Sequence, residues 1–175
     1  MRPPPFRIRP GGRAALEEAA RVLAGRREDG AESAPGLLAV TFGLGGGRCA
    51  VEAAAVQRAV LRLGGVAPIS RAGGGERLVA FVDERPVPVV DLLRPGSRTP
   101  EDLSDAPALL LTLESGPVAV AVQGPLDLSE EPIAQAAQSV REDPEVPQLA
   151  GRLADGTSLI DAGWMRRFAA RALAP

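Results

Sequence analysis

The sequence predicts an all-β fold made of two small β-barrels with short connecting helices. From residue 37 onward the apolar residues come in short runs that alternate or break at Gly- and Pro-containing turns, a pattern typical of strands and hairpins. The pattern of residues 37–92 then recurs in residues 108–160. The spacing is 71 residues between Thr41 and Thr112, and 70 between Asp91 and Asp161. Because two hairpins recur in the same order and about the same number of residues later, the sequence indicates an internal duplication.

Residues 1–35 are predicted to form a separate N-terminal region. Residues 1–12 hold four prolines and two glycines, which favours an extended leader. Residues 13–27 have the period of an amphipathic helix, and residues 28–36 read as a linker. The apolar face of this helix consists of Leu16, Ala19, Ala20 and Leu23. Because an isolated helix of this length is marginal in water, we expect it to dock on its own domain or on a partner.

Residues 36–175 are predicted to form the β domain, with four hairpins in chain order. The hairpins are residues 37–44 with 48–52, residues 78–82 with 86–93 around a turn at Asp83–Glu84, residues 108–113 with 118–122, and residues 149–160 around Asp155–Gly156. Because Pro86 and Pro88 have no N–H group, their strand is expected at an edge or a bulge.

The segments between the hairpins are less regular. Residues 52–63 fit either a short helix or an irregular strand, and residues 67–75 and 94–107 read as loops. A C-terminal helix is expected after Asp161, which can cap it. Trp164, Met165 and Phe168 on this helix either seal the core or form a partner-binding stripe.

The composition excludes several kinds of chemistry. The chain has no His and all 20 basic residues are Arg, so the commonest general base, the commonest metal ligand and the lysine of a phosphate-binding loop are missing. A net charge of −2 gives no basic field for nucleic acid. No apolar run is long enough to cross a membrane, and the lone Cys49 fits a reducing compartment. These observations predict a cytoplasmic protein without a cofactor.

Three motifs invite a catalytic interpretation, and each has a plainer one. The glycine runs at residues 43–47 and 73–75 fit strand turns better than phosphate loops. Cys49 is either a nucleophile or a core residue, since a reactive thiol needs a neighbouring base or positive field. The acidic pairs, such as Asp83–Glu84, lie in predicted turns, where solvated charge is expected. Asp91 either caps a strand end or contacts a partner.

Residues 78–92 carry the clearest resemblance to a known family. The stretch Leu78-Val-Ala-Phe-Val-Asp-Glu-Arg-Pro-Val-Pro-Val-Val-Asp-Leu92 resembles the central hairpin of the CheW-like domain, whose second strand reads roughly Val-Val-Pro-Val-Val-Asp-Leu. Val56 and Gln57 match the start of a short helix of that family, and Pro68 matches a loop proline. The resemblance extends over about residues 36–172.

The resemblance implies two five-stranded SH3-like barrels and an adaptor without enzymatic activity. Members of this family join the signalling tip of a chemoreceptor to a CheA-like histidine kinase of a two-component chemotaxis pathway. The implied partner-binding residues are Val56, Gln57, Asp83, Glu84, Arg85, Val87, Pro88, Val89 and Asp91.

Two departures from the family pattern reverse a charge. Asp83–Glu84 replaces an Arg-Gly turn, and Arg58 stands where a Glu is usual. We therefore expect an altered choice of partner. The alternatives are an SH3-like structural module of another complex and a carboxylate-dependent hydrolase.

Overall fold

The computed structural model describes residues 36–71, 74–93, 98–136 and 147–174. The chain divides into two compact units, residues 1–34 and residues 35–175. The predicted leader and amphipathic helix, with the linker up to residue 35, lie outside the described residues. All of the described residues belong to the second unit.

The described part of this unit consists mostly of β-strands, which confirms the predicted class. The strands are β1 (Leu37–Leu44), β2 (Gly47–Glu52), β3 (Arg58–Val60), β4 (Ala67–Ser70), β5 (Glu76–Val82), β6 (Arg85–Asp91), β7 (Ala108–Leu113), β8 (Gly116–Ala121), β9 (Gln123–Glu131), β10 (Ile133–Ala136), β11 (Leu149–Leu153) and β12 (Ser158–Ile160). Helices α1 (Pro100–Ser104) and α2 (Ala162–Leu173) also lie in the described ranges, and a 3-10 turn spans Ala53–Ala55.

The strands form two sheets with the same internal order. The first sheet runs β10–β11–β12–β2–β1–β9, and the second runs β4–β5–β6–β8–β7–β3. Each sheet contains a parallel pair of strands. In the first sheet β2 of hairpin β1–β2 lies parallel to β12, and in the second sheet β8 of hairpin β7–β8 lies parallel to β6. The other neighbours pair antiparallel. This equivalence supports the duplication that the residue spacing indicates.

The two halves of the domain exchange their hairpins. Hairpin β1–β2 of the first half lies between β12 and β9 of the second half, whereas hairpin β7–β8 of the second half lies between β6 and β3 of the first. The recurring pattern in the sequence does not reveal this exchange, because it shows which segments are alike but not which of them pair.

The predicted five-stranded barrels differ from the observed sheets. Each sheet has six strands, and among the described residues no hydrogen-bonded pairing joins its first strand to its last. The additional strand β4 occupies residues expected to form a loop, and all four of its residues are exposed. β10 is equally exposed. Strands without a buried face lack the alternation by which a strand is recognised in a sequence. The expected loop at residues 94–107 also contains α1.

The core consists of three apolar clusters. The largest lies between the sheets, with Phe42 from the first and Val90 and Leu111 from the second among its members. A second cluster, on the other face of the second sheet, includes Val89. The adjacent residues Val89 and Val90 thus serve different clusters, as the alternation of a strand requires. A small third cluster, which includes Ala39, lies on the other face of the first sheet.

Helix α2 covers the cluster between the sheets. Asp161 caps it, as predicted, by accepting hydrogen bonds from the N–H groups of Gly163 (3.1 Å) and Trp164 (2.8 Å). Trp164 is 1% exposed and stacks on Phe168 with ring centroids 5.3 Å apart. The aromatic residues of this helix therefore seal the core, the first of the two interpretations.

Two arginines hold the other end of α2: Arg77 of β5 and Arg71, the residue after β4. The guanidinium groups of Arg71 and Arg77 donate to the carbonyl oxygen of Leu173 at 2.8 and 2.7 Å. Cationic donors satisfy the unpaired carbonyls at a helix C-terminus and complement the negative end of its dipole. The helix is thereby fixed at both ends over the core.

Replacing Trp164 by Ala should lower the free energy of unfolding by about 3–5 kcal/mol, because it leaves a cavity under α2. Denaturant unfolding measures the change. Phe168→Ala is the comparison, since the half-buried Phe168 should lose less. An equal loss in both variants would contradict the central role of Trp164.

Candidate protein-binding surface

The β5–β6 turn is a tight two-residue turn with two acidic side chains. Val82 pairs with Arg85, so Asp83 and Glu84 form the turn, with φ angles of 51° and 64°. Positive φ at both positions is the type I′ geometry, which favours Asn-Gly or Gly-Gly. The β1–β2 turn meets the same requirement with Gly45–Gly46. A left-handed conformation costs a residue other than glycine about 1–2 kcal/mol, so the β5–β6 turn is strained.

An ion pair joins this turn to the edge of the second sheet. Arg58, the first residue of the edge strand β3, binds the Asp83 carboxylate through its guanidinium group. The side chains are 41% and 69% exposed, so the pair adds only about 0.2–1 kcal/mol to stability. Because Gln57 precedes Arg58, the contact brings together two parts of the predicted site that are far apart in the sequence.

Val56 and Gln57 lie beside this ion pair in the chain. Val56 is half-buried and packs against the cluster between the sheets, while Gln57 is exposed. The backbone N–H of Gln57 donates to the carbonyl oxygen of Leu110 (2.8 Å), and the Thr112 hydroxyl donates to its side-chain oxygen (3.4 Å). These contacts anchor the chain just before Arg58.

Four predicted site residues lie deeper in the fold than a contact surface requires. Val87 and Val89 are buried in the cluster on the other face of the second sheet, Asp91 is buried, and Pro88 is half-buried. Val87 and Val89 face the core because alternate residues of β6 point to the same side. They therefore support the surface from below, while Arg85 stays exposed beside the turn.

The buried Asp91 has a structural role at the end of β6. Its two carboxylate oxygens accept hydrogen bonds from Arg98 at 2.9 and 2.6 Å, and one also accepts the Leu93 N–H at 3.0 Å. Arg98 donates in addition to the carbonyl oxygen of Val122 at 3.3 Å. These hydrogen bonds fit the first interpretation of Asp91, in which its side chain caps the end of a strand.

Phe81 is an exposed aromatic residue next to the turn that the sequence interpretation did not assign to the site. It is 62% exposed on β5, directly opposite Pro86, which is also exposed. The signal was present in the alternation of the strand, since Leu78, Ala80 and Val82 fill the other face.

The remaining candidate groups have structural environments. Cys49 is buried in the cluster between the sheets, and burial raises the pKa of its thiol, which disfavours the thiolate. The backbone N–H of Thr157 lowers the pKa of Asp155, assisted by the Thr157 hydroxyl. Among the described residues, no three His, Cys, Asp or Glu side chains group as metal ligands. No helix in the described ranges combines the length and apolarity needed to cross a bilayer.

Replacing Arg98 by Met should lower the free energy of unfolding by about 3 kcal/mol, because it removes the cation from a buried carboxylate. Thermal or denaturant unfolding measures the loss. The exposed Arg152→Met is the matched control and should change little. The double variant Asp91→Asn, Arg98→Met should be more stable than Arg98→Met alone. A double variant that is less stable would contradict this account.

Replacing Glu84 by Gly should raise the free energy of unfolding by about 1 kcal/mol, because glycine adopts φ of 64° without strain. Denaturant unfolding measures the gain. Glu114→Gly, in the exposed β7–β8 turn, is the control, since Glu114 does not have a positive φ. A gain of the same size in both variants would contradict the assignment of strain to Glu84.

Comparisons with known proteins find likenesses among solved structures but none in sequence. No protein-family model matches the sequence, and no curated protein has a significantly similar sequence. Among solved structures, the chain is similar to the scaffolding protein TtCheW from Thermoanaerobacter tengcongensis, with 13% identity and a TM-score of 0.45. The likeness covers 76% of this chain and 88% of that chain. At this identity and TM-score it carries no conclusion about function.

Proposed function

We propose that the chain is a non-catalytic adaptor of a chemosensory signal-transduction pathway, with a CheW-like domain in residues 36–175. In this proposal each six-stranded sheet is the counterpart of one SH3-like barrel. The partners are the signalling tip of a chemoreceptor, the regulatory domain of a CheA-like histidine kinase, or both, and the protein acts in the cytoplasm. The support comes from the motif in residues 78–92 and from one contact of the chain.

The contact between Arg58 and Asp83 is the observation that carries the proposal. These residues occupy two positions at which the sequence departs from the CheW-like pattern, with Arg in place of Glu and an acid in place of Arg. Two independent departures have no reason to meet in space. Their ion pair is what two compensating changes would produce, with the acid and the base exchanged between the two positions.

A reversed polarity changes which partners the surface accepts. The exposed members of the proposed site are Gln57, Asp83, Glu84 and Arg85, with Val56 and Pro88 at its margin. Exposed charges contribute little to fold stability but reject partners whose like charges they meet. We infer that the chain selects a partner whose charges complement this arrangement.

The hydrolase alternative gains no support from the two Asp residues at equivalent ends of β6 and β12. Asp91 is bonded to Arg98, and Asp161 caps α2. A general acid or base needs a carboxyl group free to exchange a proton with a substrate.

The wild-type protein should bind a purified chemoreceptor signalling-tip fragment or a CheA-like regulatory domain from its source organism. The variant Arg58→Glu, Asp83→Arg, which restores the usual polarity, should lose at least tenfold in that affinity, or about 1.4 kcal/mol. Biolayer interferometry measures both.

The control reverses a second exposed ion pair, Arg62→Glu with Asp105→Arg. It should leave the affinity unchanged. Wild-type protein that binds none of these probes would refute the chemosensory role. Equal losses from both reversals would refute the assignment of partner choice to the β5–β6 turn.

A further inference from the structure

Phe81 and Pro86 form an exposed apolar pair at the tip of the β5–β6 hairpin. They face each other across the strands, and residues directly opposite in an antiparallel pair share a face. Among the described residues, the other aromatic side chains are buried or half-buried. Four of the five aromatic residues of the sequence lie in the described ranges, and of these four Phe81 is the exposed one, beside a strained turn. An exposed aromatic residue in such a position is suited to anchor a partner.

The apolar face continues from this pair into the core. The next opposed pair on the same face is Val79 and Pro88, which are buried and half-buried, and Val90 follows within the cluster between the sheets. The pair at the tip is therefore backed by packed residues. A rigid, supported apolar contact loses little conformational entropy when it binds.

The charged side chains at the tip are not all paired. Arg58 neutralises Asp83, whereas Glu84 is exposed and has no ion pair with a described residue. Arg85 pairs with Val82, and the side chain of Val82 packs in the cluster on the other face of the sheet. The side chain of Arg85 therefore leaves the strand on the face opposite to that of Phe81. Glu84 lies in the turn itself, two residues before Pro86, so it is the uncompensated carboxylate at this hairpin tip.

We propose that the tip surface, consisting of Phe81, Glu84 and Pro86, binds a protein segment in which an arginine adjoins an apolar side chain. A guanidinium group stacks on an aromatic ring and pairs with a carboxylate, and no other side chain does both as well. The apolar neighbour packs on Pro86 and the remaining edge of Phe81. The idea that this segment belongs to a chemosensory partner rests on the proposed function. The chemistry that the tip surface recognises is argued from its own residues and does not depend on that function.

A phage-displayed library of random dodecapeptides, selected on the full chain, tests the chemistry without a known partner. The wild type should enrich peptides in which Arg adjoins an aliphatic or aromatic residue. Glu84→Arg should instead enrich acidic residues beside the apolar one, and Phe81→Ser should enrich no such motif. Glu114→Arg makes the same charge change in the exposed β7–β8 turn and should match the wild type.

Thermal unfolding of each variant verifies that the domain is folded, because these exposed replacements should leave the melting temperature nearly unchanged. Identical peptides from the wild type and Glu84→Arg, or no motif from the wild type, would overturn the proposal. Failure of the chemosensory probes to bind, with the peptide motif intact, would overturn the proposed function and leave the tip surface standing.

Discussion

The exchange of hairpins between the two halves is the constraint on which the rest of the structure depends. Hairpin β1–β2 satisfies its outer backbone groups only through β9 and β12, and hairpin β7–β8 does so through β3 and β6. Neither half can complete a sheet alone, so the two sheets must form together. The paired strands are also far apart in the sequence. Forming such a pair costs the conformational entropy of closing a large loop before the strands gain any hydrogen bonds or buried surface. The cost of this connectivity is offset by the cluster between the sheets, to which both contribute.

The duplication leaves equivalent positions that the two halves use differently. Asp91 is the last residue of β6 and Asp161 follows the last residue of β12. Each carboxylate accepts a hydrogen bond from the backbone N–H of the residue two positions later. In the first half this aspartate is buried and bonded to Arg98, which leads into α1. In the second half it caps α2, the helix that covers the shared core. The same local geometry thus begins two different connections. The first leads to α1, which contributes Leu103 to the cluster on the other face of the second sheet, and the second leads to α2, which contributes Trp164 and Met165 to the cluster between the sheets.

The β5–β6 turn combines a strained backbone with charges that add little to the stability of the fold. Its two-residue geometry demands left-handed backbone, which the β1–β2 turn provides with glycines and this turn provides with acids. Strain of this kind is found where side chains serve a function, since glycine would remove it. The ion pair with Arg58 adds little stability because it is exposed, but it fixes the sign of the charge that the turn presents. The core beneath, with Val87 and Val89, is unaffected by that sign.

The sequence by itself determined the features that depend on neighbouring residues. Gly and Pro at turns and the alternation of apolar residues predicted the four hairpins, and Asp161 predicted the start of α2. Strands β4 and β10 were not predicted because neither has a buried face. Helix α1 was not predicted because five residues are too few to show a helical period in the sequence. For the proposed site, the sequence pointed to the turn and its reversed charge but not to the exposed Phe81, and the site itself stays a prediction. Only the tertiary structure decided which hairpin completes which sheet, that Val87, Val89 and Asp91 are buried, and that Arg58 reaches Asp83. Those outcomes join residues far apart in the chain, and the pattern of a single sequence records what each segment can form but not which segments meet.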